Sequence, residues 1–180
     1  MQPFKLDLET IRTRAREKMA DGPITGAYKA DRQQVIDVLN EALATEITCV
    51  LRYKNHYFMA EGLHGEAVAA EFLEHAEEEQ DHADQIAERI VQLRGVPDMN
   101  PANLHTKAHA EYTQGGKLVD MIRENLVAER IAIETYTEIA RWLGDKDPTT
   151  RRMIEAILET EEEHADDMAG LLERWDREEG

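Results

Sequence analysis

Apolar side chains recur at steps of three and four residues through four long stretches of the chain, the spacing that gathers them on one face of an α-helix. In the first stretch the stripe runs Val35, Leu39, Ala42, Leu43, Cys49, Val50 and Tyr53, and in the second Val68, Phe72, Ala76, Ala83, Ile86 and Ile90. The third gives Leu118, Ile122, Leu126, Ala132, Ile133, Tyr136 and Ile139, and the fourth Ile154, Ile157, Leu158, Ala165, Met168 and Leu172. Gly and Pro cluster between the stretches, at Gly22, Pro23 and Gly26, at Gly62 and Gly65, from Gly95 to Pro101, at Gly115 and Gly116, and at Gly144 and Pro148. Such punctuation predicts helices near 31–61, 65–94, 117–143 and 148–176, with Asp147 as N-cap and Pro148 as first residue of the last. Residues 6–19 predict a further N-terminal helix, and 101–112 a short one within the long 95–116 connector. At 1.5 Å per residue the four main helices span about 40–45 Å each, and their stripes bury best against one another as an all-α four-helix bundle. The expected organisation is an N-terminal extension (1–30), the bundle (31–176) and a C-terminal tail (177–180).

The stripes have gaps, and charged residues fill them. At helical spacing the interrupted core positions hold Glu46, Glu79 with His82, Glu129, and Glu161 with His164. A carboxylate in an apolar bundle is costly unless it is paired or bound to a metal, so four of them call for shared cations. The two Glu-x-x-His pairs recur within matching segments, Glu79–Asp84 and Glu161–Asp166. Leu43–Tyr53 likewise lines up with Leu126–Tyr136, each with a Glu seven residues before a Tyr. The interval from Glu46 to Glu79 nearly equals that from Glu129 to Glu161, so the chain is two similar helix pairs related by an approximate twofold axis. Residues three apart share a helix face. Two lone Glu and two Glu-x-x-His form the ligand set of carboxylate-bridged di-iron and di-manganese bundles. Carboxylates can bridge two metals and change binding mode with oxidation state, each imidazole adds a nitrogen suited to iron, and six protein ligands leave positions open for oxygen or peroxide.

Charge and composition fit that chemistry. The 180 residues carry a formal charge of −17, which disfavours nucleic acid and anionic membrane as partners and favours cations. Residues 1–32 alone break the trend, with seven Lys or Arg against five Asp or Glu, a mild basic excess usual for a solvated tail. No apolar run is long enough to cross a bilayer and the N-terminus lacks the build of a secretory signal, so the expectation is a cytoplasmic chain without a membrane span. The single cysteine, Cys49, cannot form an intrachain disulfide and is expected to act as a small buried hydrophobe.

With these motifs in place, the chain resembles the ferritin-like superfamily over roughly 31–176, and within it the bacterioferritin and Dps-like branch. The resemblance implies an antiparallel four-helix bundle with a long crossover and a ferroxidase site of two iron ions per subunit, replaceable by Zn or Mn. Glu46, Glu79, His82, Glu129, Glu161 and His164 would be the ligands. Tyr53 matches a tyrosine near the iron pair of bacterioferritins with a part in electron transfer. The implied function is iron storage and detoxification: Fe(II) oxidised by O2 or H2O2, and Fe(III) mineral held in a hollow homo-oligomer that protects against oxidative stress.

Three departures from the family patterns refine the expectation. Bacterioferritins carry a haem-ligating Met directly after the second-helix Glu, and Gln80 stands there instead, which argues against haem. The chain after His164 is too short to finish the fourth helix and add a fifth, which with a short helix in the connector favours 12 subunits over 24. No two histidines have the spacing found in the interfacial site of most Dps proteins, so the resemblance is to Dps-like proteins with an intrasubunit bacterioferritin-type site. Some of these have a cysteine pair near the metal; Cys49 is alone, so that feature is absent or incomplete.

Other residues receive plainer expectations. Glu77, Glu78, Glu162 and Glu163 are read as solvated or cavity-facing, with a shifted register making one of them a ligand as the alternative; the acidic face Glu155, Glu159, Glu162 and Asp166 is read as solvated or cavity-lining. His75, one turn before Glu79, is read first as a core or surface histidine and second as a partner of the site or an extra metal contact. Tyr136 is assigned to the core, and His56, His64, His105 and His109 receive no role. Two other classes stay open: a di-metal oxidase or di-manganese catalase-like enzyme without mineral storage, and an acidic bundle that holds no metal.

Overall fold

The computed structural model describes residues 3–62 and 65–179, and their regular structure is helical throughout. The helices are α1 (Leu8–Arg14), α2 (Arg32–Met59), α3 (Gly65–Gln92), α4 (Pro101–Lys107), α5 (Leu118–Leu143) and α6 (Pro148–Glu179), with a 3-10 turn at Met19–Asp21. The four long helices of the hydrophobic pattern are α2, α3, α5 and α6, and the connector holds the short α4. Helix α6 continues to Glu179 because residues 173–179 contain neither Gly nor Pro to stop it. The N-terminal helix is shorter than 6–19: α1 buries no residue, and Lys18 takes a left-handed φ of 46° before the 3-10 turn. His64 lies outside the described residues.

Helix α2 packs along α3 and α5 along α6, forming two helix pairs joined by the crossover. Contacts give the directions. His56 and Tyr53 of α2 meet Asn125 and Glu129 of α5, while Phe72 and Arg89 of α3 share surroundings with Met168 and Thr150 of α6. Both sets run in opposite sequence order, so these neighbours are antiparallel. Two large apolar clusters result, beside a small one of Cys49, Ala110 and Ala128. One joins Leu39, Leu43, Ile86, Ile90, Tyr136, Leu143, Ile154 and Ile157, and the other Tyr53, Val68, Phe72, Met121, Ile122 and Met168. The six polar interruptions of the stripes lie between them along every long helix.

The helix ends follow local chemistry. Asp31 caps α2 by accepting from the amides of Gln33 and Gln34, and Asn100 caps α4 ahead of Pro101. Helix α3 ends with Arg94 at φ +67° and a bond from the Gly95 amide to the Ile90 carbonyl. Gly95 is required by space, since a Cβ there would lie 2.8 Å from Ile36 Cγ2 and 2.9 Å from Ile90 Cγ2. None of the described helices is long and apolar enough to cross a membrane.

The end of the bundle where α3 finishes and α6 begins is closed by a buried ion pair. Arg89 of α3 donates through Nη2 to both oxygens of Asp147, at 3.0 and 3.2 Å, and through Nε to Thr150 Oγ1 at 2.8 Å. Asp147 also accepts from the Thr150 amide and from the hydroxyl of Tyr28, which ties the N-terminal segment to the start of α6. Asp147→Ala removes the cap and leaves Arg89 buried without its counter-charge, an expected loss of about 3–5 kcal/mol. Tyr28→Phe removes one neutral donor and is expected to cost about 1 kcal/mol. Urea unfolding of both variants against the parent chain measures the difference.

Candidate metal centre

Helical register alone brings the six stripe-interrupting residues together. Glu46 projects from α2, Glu79 and His82 from consecutive turns of α3, Glu129 from α5, and Glu161 and His164 from α6. All six are buried, none more than 5% exposed. His82 Nδ1 lies 3.4 Å from Glu46, 3.5 Å from Glu79 and 3.1 Å from Glu161. His164 Nδ1 lies 3.8 Å from Glu129, 3.8 Å from Glu161 and 3.9 Å from Glu79. Both imidazoles thus aim the same ring nitrogen into one carboxylate cage.

Two overlapping groups of ligand-competent atoms emerge. One comprises Glu46, Glu79, His82 and Glu161, and the other Glu79, Glu129, Glu161 and His164. Glu79 and Glu161 belong to both groups, Glu46 and His82 to the first alone, and Glu129 and His164 to the second alone. The atoms fit cations and little else. Of the ten buried side-chain nitrogens and oxygens without a hydrogen-bond partner among the described residues, eight belong to these six residues. Orphaned polar atoms at that density would be prohibitive in a bundle core unless an ion satisfied them.

Electrostatics distinguishes the two sides. Burial, aggravated by Glu79 and Glu161, pushes the Glu46 carboxyl well above the usual range. Glu161 is pushed up to about 8, again by burial and then by the charge of Glu79. Burial also disfavours charge on Glu129, yet contact with His164 and Glu161 outweighs it and holds the group at about 2. Both imidazoles resist deprotonation despite their burial, because the surrounding carboxylates raise His82 to about 12 and His164 to about 11.

A surrounding layer of polar residues orients this cage. Tyr53 donates its hydroxyl to Glu129 Oε1 in a very short hydrogen bond, and its oxygen lies 3.2 Å from His75 Nδ1. His164 Nε2 lies 2.7 Å from Glu78 Oε2, so the ring is held from behind while Nδ1 faces the cage. Arg52, 1% exposed, donates to Asn125 Oδ1 and the Glu111 carbonyl and contacts Cys49 Sγ at 3.5 Å. Its charge is among the influences that keep Glu129 ionised. His56 is fully buried between Asn125 Oδ1 and the Thr113 carbonyl, tying the connector to the bundle.

Several of these residues depart from the expectations drawn from the sequence. Glu78 is half-buried and supports His164, where the sequence suggests a solvated or cavity-facing side chain; its position before Glu79 on α3 turns it toward α6. His75 is buried against Tyr53 and stacks on His164, with ring centroids 3.9 Å apart. The spacing of His75 one turn before Glu79 is the available signal. Asn125 carries the same signal as Glu129, a polar residue at a core position of the third stripe, three residues after Ile122 and four before Glu129, whereas Arg52 carries none because it stands beside its stripe. Cys49 packs with Ala110 and Ala128, Tyr136 is fully buried in the first apolar cluster, and Gln80 is exposed and bonded to Asp84.

Comparison with known proteins agrees with this architecture. The chain is 34% identical over 141 residues to a DNA protection during starvation protein of Pyrococcus furiosus, covering 74% of each chain. It is 33% identical over 147 residues to a bacterial ferritin of Pseudomonas aeruginosa, covering 78% of this chain and 90% of that one. Among solved structures, the bacterioferritin-related protein of Bacteroides fragilis, a dodecameric thioferritin, superposes with a TM-score of 0.81 at 37% identity, covering 84% of this chain and 91% of that one. The ferritin-like domain family matches residues 36–178, across all four long helices and all six residues of the cage, and the chain belongs to that family.

Proposed function

We propose that this chain is an iron storage and detoxification protein that oxidises Fe(II) at the intrasubunit centre and holds Fe(III) as mineral inside a hollow homo-oligomer. The observation that carries the reading is the sharing of Glu79 and Glu161 between two four-residue groups, each completed by its own Glu and His. Such a cage holds two ferrous ions as neighbouring substrates, and four carboxylates offset the charge of two divalent cations. Two Fe(II) then supply two electrons together. With two protons these reduce H2O2 to two waters, or O2 to H2O2, without a one-electron radical product. The bond from Tyr53 to Glu129 puts an oxidisable phenol directly against the cage, in keeping with a part in electron transfer.

The relatives favour the same reading. A bacterial ferritin and a DNA protection during starvation protein are both similar to this chain, and the dodecameric relative supports an assembly of 12 copies. Exposed Leu51, Phe58 and Met59 of α2, Tyr112 of the connector and Val127 of α5 are apolar side chains that assembly could cover. In the cytoplasm such a shell would remove ferrous iron and peroxide together.

Glu79→Ala removes a carboxylate common to both positions, and Glu46→Ala with Glu129→Ala removes one terminal ligand from each. Both variants are expected to lose at least about 100-fold of the initial Fe(II) oxidation rate followed by stopped-flow absorbance, in line with the cost of losing metal-holding groups. Oxidation at the parent rate would sink the assignment. Peroxide turnover without net iron oxidation or mineral would instead indicate a catalase-like enzyme.

Binding is also expected to depend on pH. His82, His164, Glu46 and Glu161 all retain protons near neutrality, and a cation must displace them. Protons therefore compete with metal, and affinity rises with pH. Titration with a redox-inert divalent cation at pH 7 in weak buffer is expected to release roughly two to four protons per chain, read with an indicator dye. Release of none would contradict the protonation pattern.

A further inference from the structure

The six-residue cage is closed to solvent, yet its substrate must reach it. One seam between α3 and α6 meets it with chemistry suited to a cation. There His75 is 2% exposed, and its Nε2 points outward between Glu71 Oε1 at 3.7 Å and Asp167 Oδ2 at 3.6 Å. The two carboxylates are open to solvent, at 35% and 53% exposure.

Hydrogen-bond accounting fixes what that nitrogen offers. Tyr53 has one hydroxyl proton and donates it to Glu129. Its oxygen can then only accept from His75 Nδ1, 3.2 Å away, which places the imidazole proton on Nδ1. The Nε2 lone pair is left facing two carboxylates at distances too long for hydrogen bonds. Two ligand atoms that each lie about 2.1 Å from one cation are separated by roughly 3.0–4.2 Å, depending on the angle between them. The observed separations fall inside that range.

The route inward is short. His75 stacks on His164 with centroids 3.9 Å apart and ring planes 20° apart, and Glu78, itself 46% exposed, reaches His164 Nε2 at 2.7 Å. His75, Glu78 and His164 thus form a second group of ligand-competent atoms between the outer trio and the cage.

We propose that Glu71, His75 and Asp167 form a third divalent-cation site, a loading station from which Fe(II) passes by way of Glu78 and His164 to the dinuclear cage. The loading role rests on the ferroxidase reading; the cation site itself does not. Glu71 and Asp167 give the station its charge and its opening to solvent. His75 gives it a fixed nitrogen, with orientation set by Tyr53 and therefore by a ligand of the cage. One tyrosine links the outer site to the inner one.

The test uses crystals of the full-length assembly soaked in Co(II), with anomalous scattering at the cobalt edge, on the parent chain and on a Glu71→Gln, Asp167→Gln double variant. The parent is expected to show three peaks per chain, two in the cage and one among Glu71, His75 and Asp167. The variant is expected to keep the first two and lose the third. Stopped-flow oxidation at limiting Fe(II) is expected to slow by about three- to tenfold in the variant, the scale of lost electrostatic steering, and to recover at saturating Fe(II). Cage peaks without the third in the parent overturn this proposal and leave the ferroxidase reading intact. An empty cage overturns that reading, and a third peak that survives in the variant overturns the ligand assignment. An unchanged rate at limiting Fe(II) overturns the loading role.

Discussion

Everything in this bundle is arranged around one costly layer, four carboxylates and two imidazoles held between two apolar clusters. Burying an ionised carboxylate without compensation is among the most unfavourable acts a core can perform. The chain limits the cost by proximity. The imidazoles stay protonated beside the acids, Glu46 and Glu161 hold protons, and Glu129 is driven toward its charged form. Under the proposed reading a cation that enters would replace these protons, and the tension in the layer would also be its affinity. Helices suit the task because each side chain is fixed by register on a rod that packs along its whole length.

That layer explains demands elsewhere. Arg89 and Asp147 close one end of the bundle with a buried pair, and Gly95 lets α3 terminate against Ile36 without a Cβ in the way. Apolar packing on both sides of the cage sets the spacing between helices. Arg52, Asn125 and His56 then fasten α2 to α5 and to the connector through buried hydrogen bonds. A slip of one residue in any long helix would rotate its ligand about 100° from the cage, which is why rigid ends matter to a site in the middle.

Much of this is legible in the sequence because the site breaks the rule that builds the fold. Glu46, Glu79, Glu129 and Glu161 occupy positions where the helical period demands apolar residues, so the stripe reveals both the helices and the interruption. Glu78 cannot be found this way: its position points off the stripe, and only the packing of α3 on α6 brings it to His164. Arg52 is hidden for the same reason, since periodicity treats a polar residue beside the stripe as solvated, while Asn125 interrupts the third stripe one turn before Glu129 and could have been found by the same rule. Helix α6 outruns its expected end and α1 falls short of it. Residues 173–179 lack a breaker, whereas α1 has no buried face and at seven residues cannot sustain a longer helix alone.

The repeat that exposes the site also conceals its inequality. In sequence Glu46 and Tyr53 correspond to Glu129 and Tyr136, yet the two halves sit in different surroundings. Tyr53 bridges Glu129 and His75, while the Tyr136 hydroxyl has no hydrogen-bond partner among the described residues. Arg52 lies near Tyr53 and contributes to the ionisation of Glu129, and the corresponding position in the second half is Thr135. Burial and the charges of Glu79 and Glu161 keep a proton on Glu46, whereas contact with His164 and Glu161, with Arg52 adding to it, holds Glu129 charged. Under the proposed reading the Glu129 side offers a cation a carboxylate already charged, with His164 beside it and the α3–α6 seam behind, and the Glu46 side must first release its proton. On that reading the repeated set of ligands becomes an ordered pair of positions through the residues in which its two halves differ.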